Sequence, residues 1–372
     1  LFIQMNSKNI VIFMPSIEKG GADKNLFVIS NFLSKKFKNI SIITASKVDK
    51  NKFDHDIQIF SPRLFKWNKF GRNIKSLISI FILIKIFIKK KDVLVLSFQS
   101  NIWTIILCKI FFKKIITRSN SFPDHWTNNN IKKYIFKKIY PLANHNIVNS
   151  LQTKKDFIKN YKIKPTCIYN PLDIKKIKSL STKLVPKIFK INKLKIINVG
   201  RLSEEKDHIT FLKALHALGD LINYHAVIMG QGKMKKRIEE FIKEHNLKKN
   251  IKLIGFKKNP YPFIKQSDFV ILTSLHEGLP NILLEAIVLK KFIISSNCIS
   301  GPKEILSNGS GGGLFKVGDF KNLKKLILFY KNNPSIVKKK IKIAFKNINR
   351  FNYYKNLNLY SNLIRSYINK KD

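Results

Sequence analysis

Two glutamates, Glu277 and Glu285, are separated by seven residues in the string His276-Glu277-Gly278-Leu279-Pro280-Asn281-Ile282-Leu283-Leu284-Glu285-Ala286. The first falls in a Gly/Pro turn after an apolar run, Phe269–Leu272, that reads as a buried strand. The second falls on a helix expected to begin near Pro280, a residue suited to a first helical turn. The N–H groups of such a turn can hold a phosphate. A carboxylate on the helix can accept both hydroxyls of a ribose, which leaves the turn glutamate to meet whatever is attached beyond the phosphates. Taken singly, two surface glutamates mean little; the eleven-residue string is far more specific.

The string resembles the E-x7-E element of a large family of retaining glycosyltransferases with the GT-B fold, which includes sucrose synthase, bacterial-type glycogen synthases and many cell-envelope enzymes. The resemblance extends through the second half of the chain. Gly200-Arg201-Leu202 with Glu205-Lys206, Gly230-Gln231-Gly232, Gly255-Phe256 with Asn259-Pro260, Gly301-Pro302-Lys303-Glu304-Ile305 and the glycine run 309–313 follow the family's order. It implies that Arg201 and Lys206 neutralise the diphosphate of a leaving nucleotide, that Glu285 binds the ribose and that Glu277 binds the donor sugar. Gly230, Gly232, Phe256, Gly278, Leu279, Pro280 and Asn281 complete the implied donor site. A planar guanidinium and a point charge suit a diphosphate, and charge neutralisation is the largest part of such a task. With no convincing DxD motif, the two cations and the helix amides are expected to replace a metal. Neither a metal nor a cofactor is expected.

The first half carries weaker matches. Gly20-Gly21-Ala22 matches a GGA loop whose glycines let the backbone approach the donor. Asp23 stands where many relatives have Glu. Arg118-Ser119-Asn120 resembles an RxN element of envelope enzymes that add hexosamines to a lipid carrier. Arg118, Asn120 and His125 are the acceptor-side candidates, although an exposed loop histidine would look the same. Asn170-Pro171-Leu172-Asp173 resembles a hinge segment.

These motifs need two scaffolds. Ile10–Met14, a Gly-containing loop, a helix carrying Leu26, Ile29 and Leu33, then Ile40–Thr44, read as a parallel α/β unit. Val93–Leu96, Ile115–Thr117 and Asn146–Val148 extend it. After a Lys-rich stretch at 176–193 the pattern restarts with Lys195–Val199, a helix at Ile209–Leu218, and strands at Ala226–Met229, Ile251–Ile254, Phe269–Leu272 and Phe292–Ser295. The expectation is two doubly wound Rossmann-like domains, 1–175 for the acceptor and 176–351 for the nucleotide-sugar, facing across a cleft. A C-terminal helix in 352–372 is expected to return to the first.

The 372 residues carry 71 Lys and Arg against 22 Asp and Glu, a formal net charge of +49. Such a surface seeks anions. AT-rich coding raises Lys, Ile, Asn and Phe together, but does not by itself deplete Asp and Glu. Cys108, Cys167 and Cys298 lie far apart, which argues against structural zinc and fits a reduced compartment. No signal peptide is read at the start, and Met5 offers an alternative start to Leu1. Leu77–Ile88 is apolar but too short to span a bilayer; it reads either as a buried helix or as one dipping into lipid. Ile131-Lys132-Lys133-Tyr134-Ile135-Phe136-Lys137-Lys138-Ile139 reads either as an interfacial helix, with Ile131, Ile135 and Ile139 on one face, or as an amphipathic helix packed on the sheet.

The expected activity is transfer of a hexose or N-acetylhexosamine, from a UDP-sugar, to a lipid-linked or polysaccharide acceptor of bacterial envelope glycan, at the inner face of the plasma membrane. A nucleic-acid-binding protein is the alternative suggested by charge alone; no binding module accompanies it. A GT-B nucleotide-sugar epimerase is the alternative within the fold.

Overall fold

The computed structural model describes residues 8–18, 20–62 and 70–369. Leu1 and Met5, the two candidate starts, lie outside them. The chain divides into two units, one comprising the residues up to Pro171 and from Tyr353 onward, the other Leu172–Asn352.

The first unit runs β1 (Asn9–Phe13), α1 (Gly21–Ser34), β2 (Ile40–Ile43), β3 (Gln58–Phe60), α2 (Arg72–Lys89), β4 (Val93–Ser97), α3 (Asn101–Ile110), β5 (Lys114–Ser119), α4 (Asn130–Ile139), β6 (His145–Val148), α5 (Leu151–Tyr161) and β7 (Thr166–Cys167). Its seven parallel strands are ordered β3-β2-β1-β4-β5-β6-β7. β1, β2 and β4 are apolar and buried almost throughout because helices cover both faces of the sheet. On one face, Leu26, Ile29 and Leu33 of α1 are buried against Ile10, Ile12 and Leu96. On the other, α2 to α5 pack over Val11, Phe13 and Val95.

The second unit runs α6 (Ile174–Ser181), β8 (Leu194–Val199), α7 (His208–Leu218), β9 (Tyr224–Met229), α8 (Lys235–Glu244), β10 (Ile251–Leu253), α9 (Tyr261–Gln266), β11 (Phe269–Leu272), α10 (Asn281–Val288), β12 (Phe292–Ser296), α11 (Pro302–Ile305), β13 (Gly313–Phe315), α12 (Phe320–Asn332) and α13 (Pro334–Lys346). Its six parallel strands are ordered β10-β9-β8-β11-β12-β13. α14 (Tyr353–Ile368) then returns to the first unit, burying Leu357, Tyr360 and Ile364 beside α1.

Several sequence expectations shift. The boundary lies after Pro171 rather than at 175. The Leu172 N–H donates to the Phe351 carbonyl (3.0 Å), and α6, capped by Asp173, packs on α9 and α10. The Lys-rich stretch is therefore partly helical. Strands β3, β7 and β13 are edge or near-edge strands of two or three residues, too short to show a period. The two apolar segments each divide between both readings. In α2, Leu83, Ile86 and Phe87 are buried while Leu77, Phe81 and Ile88 are exposed. In α4, Phe136 and Ile139 pack on the core while Ile131, Tyr134 and Ile135 are exposed, so Ile139 leaves the face it was expected to share. No helix among the described residues is long and apolar enough to cross a membrane.

Candidate active site

In each sheet the strand order reverses beside the first strand, and ligands of such sheets bind beyond the carboxyl ends of the two strands flanking that point. In the second unit those strands are β8 and β11. Their following loops carry Arg201 and Lys206 on one side and Glu277 on the other.

The side chains meet there. Lys206 Nζ donates to Glu277 Oε1, an ion pair with both partners largely buried. Ser274 Oγ donates to the same oxygen at 2.7 Å, and Ser300 Oγ to the Glu277 carbonyl at 2.9 Å. The loops are stitched by Thr273 Oγ1 donating to the Lys206 carbonyl (3.0 Å) and by the Leu275 N–H donating to the Glu205 carbonyl (2.8 Å). Arg201 is half-exposed, 3.9 Å from Glu205. Burial raises the Glu205 carboxyl, but hydrogen bonds and the charges of Arg201 and Lys206 outweigh it and hold it below its ordinary range. Ser274, Ser300 and Thr273 are site residues that sequence reasoning missed. The signal for Thr273 and Ser274 was position, directly after the buried strand β11, while Ser300, four residues beyond β12, had none.

The glycine turn after β9 closes against the Arg201 loop. A Cβ on Gly230 would lie 1.8 Å from the Gly200 carbonyl oxygen, so no other residue fits. The Leu202 N–H donates to the Gln231 carbonyl (3.0 Å), and the Met234 N–H, just past Gly232, donates to the Leu202 carbonyl (3.0 Å). Phe256, beyond β10, is partly exposed.

α10 starts at Asn281, one residue later than a first-turn Pro280 would require; Pro280 is extended and caps the helix with no side-chain acceptor. Leu279 and Pro280 are buried, and Gly278 lies between them and Glu277. Gly301 (φ +84°) packs its α-carbon against the Gly278 carbonyl, where a Cβ would come within 2.2 Å. Glu285 is buried on α10 and accepts from the Tyr261 hydroxyl at 3.4 Å. Tyr261, from α9, was not anticipated. Two further groups bound the chemistry. The Cys298 thiol is pushed up to about 12 by burial and by the Glu277 carboxylate, so it is no thiolate at neutral pH. His208, at the start of α7, is buried with both ring nitrogens unpartnered among the described residues; burial, then the Lys206 charge, lowers it to about 4.

In the first unit the reversal lies between β1 and β4. Here the Ser16 N–H donates to the Gln99 side-chain oxygen (3.0 Å), and the Gln99 amide donates to the Ser16 carbonyl (2.9 Å). The Gly20-Gly21 turn is held by Asp23, whose carboxylate accepts from the N–H groups of Gly20 (2.7 Å) and Glu18 (2.9 Å). Asp for Glu here is therefore a structural choice, a short side chain that caps its own loop. Glu18 is in turn paired with Arg72 at 2.5 Å.

The acceptor-side residues separate. Arg118 is fully buried, with its guanidinium donating to the Tyr360 hydroxyl (2.7 Å), to Asn170 (2.8 Å) and to Asn120. These three contacts occupy the guanidinium that was expected to face an acceptor. The strand that places it at a carboxyl end also buries it, and it braces β5 against α14 and the hinge segment. Asn120, just beyond, is partly exposed. His125 sits on a short 3-10 turn, edge-on to Phe122 and 3.9 Å from Asp156, rather than on an exposed loop. Among the described residues the one trio of metal-type ligands is Asp54, His55 and Asp56, in the turn before β3.

With this geometry in place, the chain can be set beside known proteins. The model for glycosyl transferases group 1 matches residues 183–348. The similarity to the group 1 glycosyltransferases thus lies in the second unit. An uncharacterized glycosyltransferase of Methanocaldococcus jannaschii is 35% identical over 46% of this chain and 44% of its own length. The N-acetylgalactosamine-N,N'-diacetylbacillosaminyl-diphospho-undecaprenol 4-alpha-N-acetylgalactosaminyltransferase of Campylobacter jejuni is 29% identical over 58% of this chain and 62% of its own. The chain thus spans about half the length of these two relatives. Over nearly its whole length it matches the fold of Anabaena HepE, whose crystal structure holds UDP and glucose, with a TM-score of 0.76, 17% identity, and coverage of 96% of this chain and 100% of HepE. The fold is therefore the GT-B pair of parallel-sheet α/β domains.

Proposed function

We propose that the chain is a retaining, metal-independent glycosyltransferase. It moves a hexose or N-acetylhexosamine from a UDP-sugar to a lipid-linked or polysaccharide acceptor in bacterial envelope glycan synthesis, working peripherally at the inner membrane face. The observation that carries this reading is the Lys206–Glu277 pair at the switch point of the second sheet, with Arg201 beside it and Glu285 on the adjoining helix. As the sugar departs, the β-phosphate oxygen gains charge, and Lys206 and Arg201 are placed to neutralise it. Glu277 holds Lys206 until the diphosphate takes its place, then turns to the sugar hydroxyls. Glu285, steadied by Tyr261, accepts from the ribose.

The acceptor hydroxyl oxygen bonds to the anomeric carbon on the face from which the diphosphate leaves. The carbon–oxygen bond to the β-phosphate breaks with its electron pair going to phosphate. That phosphate oxygen takes the acceptor's proton, so no enzyme nucleophile is needed. The cations and the α10 amides do the work that a metal does elsewhere. UDP is favoured by HepE, which binds UDP and glucose, and a lipid-linked acceptor by the Campylobacter relative, whose name specifies a diphospho-undecaprenol acceptor.

Thermal-shift measurements against UDP, GDP and their common sugars test the donor. Stabilisation by UDP, with UDP release that needs an acceptor and persists in EDTA, is expected. Acceptor-independent release would point to an epimerase, and loss of activity in EDTA restored by magnesium would overturn the metal-free mechanism.

A further inference from the structure

α2, α3 and α4 lie side by side on one face of the first sheet: α2 packs on α3, and α3 on α4. Their inward faces are ordinary core. Their outward faces are not ordinary surface. Phe81 on α2 is 64% exposed, Trp103 on α3 62%, Phe112 in the following turn 94%, and Ile131 on α4 71%. Leu77 and Tyr134 extend the same faces. Scattered exposed apolar residues need no explanation, but large ones on each of three adjacent helices do. α3 matters most here, because Trp103 and Phe112 lie at its two ends.

The charges select the occupant. α2, α3 and α4 contain no Asp or Glu at all. Exposed lysines rim the apolar stripes: Lys85 and Lys89 on α2, Lys109 on α3, and Lys132, Lys137 and Lys138 on α4. α8 of the second unit shows the contrast, since Lys235 and Lys236 are matched there by Glu239 and Glu240 one turn on. Aromatic and aliphatic side chains at the centre, lysines at the rim and no acid match a surface that sinks its apolar groups just below the headgroups of an anionic bilayer.

We infer that the outward face of α2, α3 and α4 docks the first unit on an anionic lipid bilayer, with Phe81, Trp103 and Phe112 inserted at headgroup depth. This deepens the membrane-side acceptor reading, on which its purpose rests. The docking needs no spanning segment, and a lysine rim makes it reversible and salt-sensitive.

The test uses the whole chain and vesicles of phosphatidylglycerol with phosphatidylethanolamine, against vesicles of phosphatidylcholine. Pelleting with the anionic vesicles is expected at low salt. It should fall about ten-fold or more in F81S/W103S/F112S, because these side chains supply the inserted area. K132Q/K133Q/K137Q/K138Q should weaken binding and flatten its salt dependence. The UDP thermal shift serves as the fold control and should survive in both variants. Equal pelleting with phosphatidylcholine, no pelleting at low salt, or pelleting undiminished by the triple substitution overturns the docking face. A dimer lost in the triple variant, with no pelleting, assigns the face to a second copy and overturns it too. Absence of a UDP shift with vesicle binding intact would sink the proposed function alone.

Discussion

The two units share a strand order around the first strand, yet their switch points are furnished differently. In the second, β8 and β11 end in loops that bring a cation against a carboxylate, Lys206 on Glu277. In the first, β1 and β4 end in loops tied by neutral amide hydrogen bonds, Ser16 with Gln99. The parallel sheet supplies a crevice in both cases; the chemistry comes from what the loops carry. A charged crevice suits a diphosphate whose charge rises during reaction. In the first unit the charges beside the strand ends are already matched, Glu18 with Arg72 and Asp23 with the N–H groups of Glu18 and Gly20, so its crevice offers amides rather than a cation to recruit.

The largest effect that would break this comparison lies in those loops. Lys206→Ala and Arg201→Ala should each lower turnover on the order of 100-fold or more, since each removes a charge partner of the leaving group. Gln99→Ala should cost far less. Steady-state kinetics at saturating donor would decide it, and similar losses at Gln99 and Lys206 would mean that both crevices handle charge.

A second contrast concerns what holds each unit together. Arg118 is a buried cation with no carboxylate partner among the described residues, satisfied by Tyr360, Asn120 and Asn170. Arg118→Met should destabilise the first unit by about 3 kcal/mol, because two buried groups, Tyr360 and Asn170, and the half-buried Asn120 lose their donor. Arg118→Lys should not restore it, since an ammonium cannot span the fork. Melting followed by tryptophan fluorescence would report the first unit, whose sequence contains Trp67, Trp103 and Trp126. The UDP shift of the second unit should remain.

The counterpart in the second unit is His208. Its folded pKa of about 4 lies below the ordinary 6.5, so the unfolded chain binds more protons between those values. Stability from this group is full above pH 6.5 and is lost as pH falls toward 4, by about 2 kcal/mol at pH 5. His208→Asn should flatten that part of the pH–stability curve. An unchanged acid limb would mean that another group sets it.

Much of this was legible in sequence where period and glycine spacing do the work. β11 falls on Phe269–Leu272 as read, and most long buried strands fall within two residues, because parallel strands covered on both faces are unbroken apolar runs. The Glu277–Glu285 spacing placed one carboxylate in a turn and one on a helix, as found. Contacts between distant loops were not legible. Nothing local to Arg118 says that Tyr360 closes over it, or that Ser274 and Ser300 grip Glu277 from two strand ends. The division of α2 and α4 into inward and outward faces was equally hidden, because both faces are apolar and only the packing of the neighbouring helices tells them apart.

The last prediction separates the two glutamates within the charged crevice. Glu285 is buried and steadied by Tyr261, so under the proposed function its carboxylate is set for a ribose before donor binds. Glu285→Ala should weaken UDP binding about ten-fold, the worth of hydrogen bonds to a charged acceptor. Tyr261→Phe should weaken it less, since the carboxylate stays and only its orientation loosens. Glu277 differs because its partner in the free protein is Lys206, a group the diphosphate must recruit. Glu277→Ala releases that lysine, so UDP affinity should hold or rise while turnover falls through loss of the sugar contact. Isothermal titration of UDP beside kcat for each variant gives both quantities. Equal loss of UDP affinity in Glu277→Ala and Glu285→Ala would mean that the turn glutamate, like the helix glutamate, belongs to the nucleotide.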